Sequence, residues 1–318
     1  MSTVLRIRDL TVRFRLRDTI VQAVSGLDLD VRRGELLAIV GESGCGKSVL
    51  AHSLMGLLPK NAQVTGSALL RDTDPADTGP VELISAAPRR FARGIRGRRI
   101  GLVPQSPATA LTPVRTGRKL LEETLRVHRR TTDADTLAAD VGLAPADLDR
   151  YPFELSGGMA QRLTTALALA PDPPLLIADE PTTGLDRPLV DHTLDLLRRR
   201  CDTGGTVVVI THDLTAAERV ADRVAVMYAS RLVEHRPADA FFASPSHPYA
   251  AALLDALPTR SFNPVPGHPP MLTALPDGCA FAPRCPAANS DCARRPDLDP
   301  DTTEGVACHH PLVTEEVG

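Results

Sequence analysis

With 318 residues, 43% of them hydrophobic and 24% charged, the chain has the makeup of an ordinary globular protein, long enough for one large domain plus an appendage or for two domains. A formal net charge of −3 provides no basic field for nucleic acid, and short arginine clusters such as Arg89-Arg90 and Arg96 with Arg98-Arg99 read as solvated faces. No run approaches the roughly 18 consecutive apolar residues that span a bilayer, and the start Met1-Ser-Thr-Val-Leu-Arg-Ile-Arg8 lacks an apolar signal core, so a cytoplasmic location is expected.

In chain order, periodicity predicts strands around Leu5 to Phe14 and Val21 to Val31, then a buried strand from Leu36 to Val40. Directly after it, Gly41-Glu-Ser-Gly-Cys-Gly-Lys-Ser48 fits the phosphate-binding pattern G-x-x-x-x-G-K-[ST] at every fixed position. The glycines let successive backbone N–H groups turn inward around phosphate oxygens, and the helix expected from Val49 to Leu58 adds the positive end of its dipole. Lys47 would reach the outer phosphates and Ser48 would hold magnesium. The pattern alone also suits an ordinary glycine-rich turn; the order strand, loop, helix favours a nucleoside triphosphate.

Further along, Arg71 to Pro88 carries Asp72, Asp74, Pro75, Asp77, Gly79 and Pro80 and reads as a surface loop or insertion. A short strand from Ile100 to Val103 precedes Gln105, and the region between about Thr116 and Asp149 reads as mostly helical. In Leu155-Ser-Gly-Gly-Met-Ala-Gln-Arg162, a serine and paired glycines open an amphipathic helix that runs through Leu169, which suits either an anion site or a plain helix cap. Two buried strands, Leu175 to Ala178 and Thr206 to Ile210, are bracketed by helical patterns. This alternation implies a mainly parallel sheet covered on both faces. The first of them ends in Asp179 and Glu180. In a phosphoryl-transfer site Asp179 would hold the hydrated magnesium, while Glu180 would polarise the attacking water.

After about Arg236 the content of Pro, His and Cys rises and periodicity fades, which marks a domain boundary. Cys279, Cys285, Cys292 and Cys308 are separated by five, six and fifteen residues. Clustered thiols in a cytosolic chain argue for a metal, either zinc or an iron–sulfur cluster, against the alternative of free or partly buried thiols. His309 and His310 could substitute as ligands; Cys45 and Cys201 have no evident partner.

The phosphate loop and the phrase Leu155 to Arg162 together resemble the ATP-binding cassette (ABC) superfamily, and the resemblance extends through most of the chain in the family's order. It implies an α/β fold: a P-loop ABC ATPase core with a mainly parallel sheet and an antiparallel β subdomain over residues 1–236. An α-helical signature subdomain is expected at about 106–160. By the same resemblance, ATP contacts fall to Phe14 by adenine stacking, and to Gly41, Ser43, Gly44, Cys45, Gly46, Lys47, Ser48 and Val49. Gln105 matches the Q-loop glutamine that senses magnesium beside Ser48 and Asp179, Glu180 the catalytic acid, and His212 the switch histidine. Ser156, Gly157, Gly158, Met159 and Gln161 match the signature that meets the ATP of a partner subunit, and Asp186 matches the D-loop acid between subunits. The chain departs from the pattern at Ala160, where arginine is common, and at Pro104 and Ser106, where Phe and Asp usually flank the glutamine.

In the tail, Ser246-His-Pro-Tyr249 and Gly278-Cys-Ala-Phe-Ala-Pro-Arg-Cys-Pro286 resemble the C-terminal extension of oligopeptide and dipeptide importer ATPases, shared by nickel importers, over residues 237–318. The resemblance implies a [4Fe-4S] cluster on Cys279, Cys285, Cys292 and Cys308, with zinc as the alternative. It also implies a second ATPase subunit, expected to be a paralogue, two transmembrane permease subunits and an extracytoplasmic binding protein. The chain would then work as a peripheral protein on the cytoplasmic face of the cell membrane. A soluble ABC ATPase of translation or DNA repair would carry two cassettes or a long coiled-coil insertion, and neither is present. A GTPase would carry an Asn-Lys-x-Asp phrase, which the chain lacks.

Overall fold

The computed structural model describes residues 2–71, 79–298 and 304–312. Strands β1 (Thr3–Arg15) and β2 (Ile20–Arg32) pair antiparallel across a tight turn in which the Leu16 N–H donates to the Thr19 carbonyl at 2.9 Å. Alternation sends Leu5, Ile7, Leu10 and Val12 to one buried face and leaves polar residues on the other. The opposite edge of β1 pairs with β4 (Ala62–Leu70), which in turn pairs with the two-residue β5 (Val81–Glu82), in the order β2-β1-β4-β5. Strand β4 is not expected from the sequence because its apolar alternation is short, Ala62 and Val64 against exposed Gln63 and Thr65, and is broken by Gly66 and Ser67. The expected surface insertion Arg71 to Pro88 needs correction at its end, where Val81 and Leu83 are buried in the main core; residues 72–78 lie outside the described residues.

The larger sheet is built from β3 (Leu36–Val40), β6 (Ile100–Val103), β7 (Leu175–Asp179), β8 (Thr206–Thr211), β9 (Arg223–Tyr228), β10 (Arg231–Pro237) and β11 (Gly305–Val306). Its order is β11-β10-β9-β3-β8-β7-β6, with the five strands from β9 to β6 parallel and the last two added antiparallel. Every residue of β3, β7, β8 and β9 is buried, as continuous apolar runs covered on both faces require. One face packs against the antiparallel sheet through Leu37, Ile39, Ile177 and Ile210. The opposite face, through Leu36, Leu176, Val207 and Val209, packs beneath the helix Arg187–Asp202.

The helices Gly117–His128, Ala134–Asp140 and Gly157–Leu169 form a separate apolar cluster around Leu121, Leu125, Ala138 and Leu163. The tail differs from the expected aperiodic region. Helices Ala238–Ala243 and Pro248–Asp255 place Phe241, Phe242, Tyr249 and Leu254 in one cluster with Ala38, Val40, Val224 and Val226 of β3 and β9. Strand β11 of the tail also pairs with β10, so the extension closes the edge of the cassette sheet and shares its core. Among the described residues no helix is long and apolar enough to cross a membrane.

The turn between β3 and the helix Lys47–Leu54 is the tightest point of the fold. Gly46 has φ +110, and a Cβ there would stand 2.0 Å from the Ala23 carbonyl oxygen of β2. Gly44, with φ +81, has no neighbour for such an atom. Gly44→Ala is therefore expected to cost only the left-handed backbone penalty of about 1–2 kcal/mol, whereas Gly46→Ala displaces backbone and lowers the melting temperature well beyond it. Parallel thermal melts of the two variants check the difference.

Candidate nucleotide site

A cavity of about 480 Å³ lies at the C-terminal end of the parallel strands, within the range of small-molecule sites. It is lined by Ser43, Gly44, Gly46, Lys47, Ser48, Val49, Gln105, Glu180 and His212. Four chain segments converge there because β3, β6, β7 and β8 are parallel and end at the same edge.

The loop from Gly41 to Ser48 is curled around its own lysine. Lys47 is buried, and its Nζ donates to the carbonyls of Gly41 at 2.7 Å and Glu42 at 3.0 Å. These partners hold the ammonium at the floor of the loop, where an incoming polyphosphate would meet it. Cys45 is also buried, 3.7 Å from the Lys47 ammonium, and burial raises its thiol pKa, so the thiol is a packing group and the residue faces a ligand only with its backbone. Gly41, at φ +150, sits where a Cβ would be 2.1 Å from the Met227 carbonyl oxygen of β9.

Beside the loop, the Ser48 hydroxyl donates to Asp179 Oδ1 at 3.1 Å. Asp179 is 1% exposed, and burial raises its pKa, a shift the Ser48 hydrogen bond opposes. Its second oxygen, Oδ2, is buried with no hydrogen-bond partner among the described residues. A buried carboxylate oxygen left over beside a serine hydroxyl is what a hard divalent cation needs, so the residues present fit magnesium.

Next to it, Glu180 has φ +50, an unfavourable backbone for a non-glycine residue, held by its N–H donating to the Ile210 carbonyl at 2.8 Å. This conformation ends β7 abruptly and sets the Glu180 carboxylate 2.8 Å from Nδ1 of His212. The histidine side chain is 69% exposed against 9% for the glutamate, so the pair spans from the cavity wall to its mouth. Gln105 is exposed just beyond β6.

Other expected contacts lie elsewhere. Phe14 is on β1, packed against the main core, and is not among the residues lining the cavity. The signature residues are absent from the lining too. Ser156 caps the helix Gly157–Leu169, its Oγ accepting from the Met159 N–H at 3.3 Å, and is exposed with Gly157. A Cβ on Gly158 would stand 3.2 Å from Leu185 and 3.5 Å from the Gly184 carbonyl, so this helix start packs against the segment that leads to exposed Asp186. Gln161 differs from its expected place beside a nucleotide. It is 1% exposed, turned into the protein, and its carbonyl accepts the hydroxyls of Thr164 at 2.8 Å and Thr165 at 3.0 Å. Five residues past the cap lie about 140° round the helix from it, which puts Gln161 on the inner face.

Residues 24–183 match the model of the ABC transporter family. The chain belongs to the ABC transporter family. Residues 233–292 of this ABC ATPase match the oligopeptide/dipeptide transporter C-terminal region. It is 41% identical over 311 residues to a putative peptide import ATP-binding protein of Brucella melitensis, covering 91% of each chain. The dipeptide transport ATP-binding protein DppD of Bacillus subtilis is 41% identical over 92% of this chain and 90% of its own length. With the oligopeptide transport ATP-binding protein OppD of Mycobacterium tuberculosis it shares 42% identity over 97% of this chain and 52% of that longer protein. Among solved structures, a dimeric ATP-binding cassette in a post-hydrolysis state with ADP and Pi superposes with a TM-score of 0.64 at 24% identity, covering 74% of this chain and 98% of that one. That likeness supports the cassette fold.

The tail thiols of the cassette are all free. Cys279, Cys285, Cys292 and Cys308 line one small cavity with His247, Phe281, His309 and His310, and burial raises the pKa of Cys279 and Cys308. Among the described residues, however, no three or more His, Cys, Asp or Glu side chains are arranged to hold a metal ion, which corrects the expectation of a formed metal centre. The thiols are gathered into a shared apolar pocket rather than drawn around a point.

Asp179→Asn keeps the shape of the magnesium corner and removes its charge. It is expected to weaken Mg-dependent ATP binding on the order of 10- to 100-fold, with metal-free nucleotide binding changed less. Titration with ATP at varied Mg²⁺ measures this.

Proposed function

We propose that this chain is the ATP-hydrolysing subunit of an importer for oligopeptides or dipeptides, working from the cytoplasmic face of the cell membrane. The observation that carries the reading is one chain holding both an ABC cassette and the peptide-importer C-terminal region. The names of the relatives from Brucella melitensis and Bacillus subtilis agree with it.

In the proposed reaction, Lys47 and the N–H groups of Gly44, Gly46 and Ser48 receive the β- and γ-phosphates of ATP. Ser48, Asp179 and Gln105 would hold Mg²⁺, which when bound would supply neutralisation of phosphate charge. Glu180 accepts a hydrogen bond from the attacking water, and His212, beside it at the mouth, is placed to contact the γ-phosphate. Catalysis of this kind is mainly positioning and charge stabilisation, which suits groups fixed at strand ends. Because Ser156-Gly157-Gly158-Met159 do not line this chain's own cavity, a second cassette, expected to be a paralogue, completes the site with its own signature phrase, while this chain's phrase serves the partner's ATP. Two permease subunits convert closure of the pair into movement of cargo, which an extracytoplasmic binding protein delivers.

The same reading assigns a [4Fe-4S] cluster to Cys279, Cys285, Cys292 and Cys308 in preference to zinc. What supports it is the donor set alone: four free cysteines lining one small cavity. Such a group would fasten the loops of the tail to one another.

Glu180→Gln is expected to leave ATP binding intact and to lower turnover about 10²- to 10⁴-fold, trapping an ATP-bound pair in the complex with permease subunits. Turnover at the normal rate would remove Glu180 from the role of base. Purification without permease partners of a fully active peptide-independent ATPase would defeat the transport reading. For the tail, anaerobically prepared protein is expected to be brown and to contain iron and sulfide; colourless protein holding zinc would decide for the alternative.

A further inference from the structure

Glu42 is a variable position of the phosphate loop, yet it is held from the C-terminal extension at both its backbone and its side chain. The Glu42 N–H donates to the Tyr249 hydroxyl at 2.9 Å. Its carboxylate takes both arms of the Arg284 guanidinium, at 2.8 Å and 3.0 Å, in a fork-to-fork pair. Arg284 is itself fixed: its side chain is 4% exposed, Nη1 donates to the Tyr228 hydroxyl at 3.1 Å, and Nε donates to the Pro266 carbonyl at 2.5 Å. Its guanidinium also lies 5.6 Å from the ring centres of Tyr228 and Phe281. On the other side, the carbonyl of Glu42 accepts from Lys47 Nζ at 3.0 Å and from the Cys45 N–H at 3.4 Å.

Glu42 thus joins two sets of bonds, one reaching more than two hundred residues along the chain into the extension and one reaching the phosphate-binding lysine. We propose that the extension is a positioning element of the nucleotide site: Arg284 and Tyr249 fix Glu42, and through it the curl of the loop and the place of the Lys47 ammonium. The chemistry is favourable because a pre-set loop spares ATP the cost of ordering it, and a forked ion pair whose arginine is buried resists rotation. Neither Arg284 nor Tyr249 touches nucleotide in this arrangement; both act on affinity through the loop. The proposal rests on the ATP-binding reading of the cavity, and wild-type protein that failed to bind ATP would fail that reading first.

The test uses the full chain and MgATP. Arg284→Lys keeps the charge but loses the fork, Tyr249→Phe removes only the hydroxyl acceptor, and Glu42→Gln keeps the shape without the charge. Each is expected to weaken MgATP binding about three- to tenfold, the scale of one charged hydrogen bond partly replaced. The double variant Arg284→Lys/Glu42→Gln should lose no more than the worse single one, since both break the same pair. In the assembled ATPase the change should appear in the KM for ATP with kcat retained. Arg260→Lys serves as control, because Arg260 donates to the Phe242 carbonyl at 2.6 Å within the extension and bears on no loop residue; it should leave ATP affinity unchanged. Folded variants that bind MgATP as tightly as wild type would overturn the proposal, as would equal losses in Arg260→Lys. If Arg284→Lys does not fold, Tyr249→Phe, whose ring packing is intact, decides alone by the same two outcomes.

Discussion

At Gly41 the backbone passes so near the Met227 carbonyl that a side chain would strike it at 2.1 Å, and at Gly46 it approaches Ala23 equally closely. This wedging of the phosphate loop between β9 and β2 sets the position of everything that acts on ATP. The glycines make the approach sterically open, the loop then curls until its carbonyls reach Lys47, and the helix that follows starts with its dipole aimed into the cavity. Asp179 and Glu180 meet the loop because β7 lies one strand from β8, itself the neighbour of β3. Sheet order, rather than any local motif, therefore brings Ser48 and Asp179 into hydrogen-bond contact across 131 residues of sequence.

The extension enters the same construction. Its Tyr249 and Phe281 join Tyr228 of β9 in an aromatic cluster, with Tyr228 and Tyr249 centred 4.4 Å apart and Phe281 edge-on to Tyr228 at 5.4 Å. In a chain with 3% aromatic residues, gathering rings at one place makes that place stiff, because large flat side chains lose little freedom when packed. The cluster meets the loop through the Tyr249 hydroxyl, which accepts from the Glu42 N–H. The cassette and its tail thus share one apolar core and one sheet edge.

Much of this was readable from the residues. The loop and the two acids after an apolar run are legible because each is a short pattern whose chemistry is local, whereas Gln105 and His212 follow only from the family resemblance; the structure gathers Lys47, Ser48, Gln105, Glu180 and His212 around one cavity. What escaped was set by distant partners. Arg284 and Tyr249 carry no local sign of contact with Glu42, since the fold alone brings them together. Strand β4 escaped because it is half exposed, and β10 because its polar Glu234 and His235 are fully buried, against the usual pattern. The inward direction of Gln161 is not legible in the phrase, because letters in a line ignore helical phase: five residues past the serine cap, its side chain is buried in the protein. The tail was misread as aperiodic because its order comes from packing on the cassette rather than from any repeat of its own.

The aromatic cluster also gives the molecule an optical property. The chain has 3 tyrosines and no tryptophan, so its ultraviolet emission is tyrosine light alone. Two of the emitters, Tyr228 and Tyr249, pack with their rings tilted by 46° at the joint between loop and tail, with hydroxyls engaged by Arg284 and the Glu42 N–H. The third, Tyr151, lies on Phe153 just ahead of the signature serine. Two fluorophores are therefore buried where the tail packs on the cassette and the third is exposed ahead of the signature, so the emission of the unlabelled protein reports on the integrity of that junction.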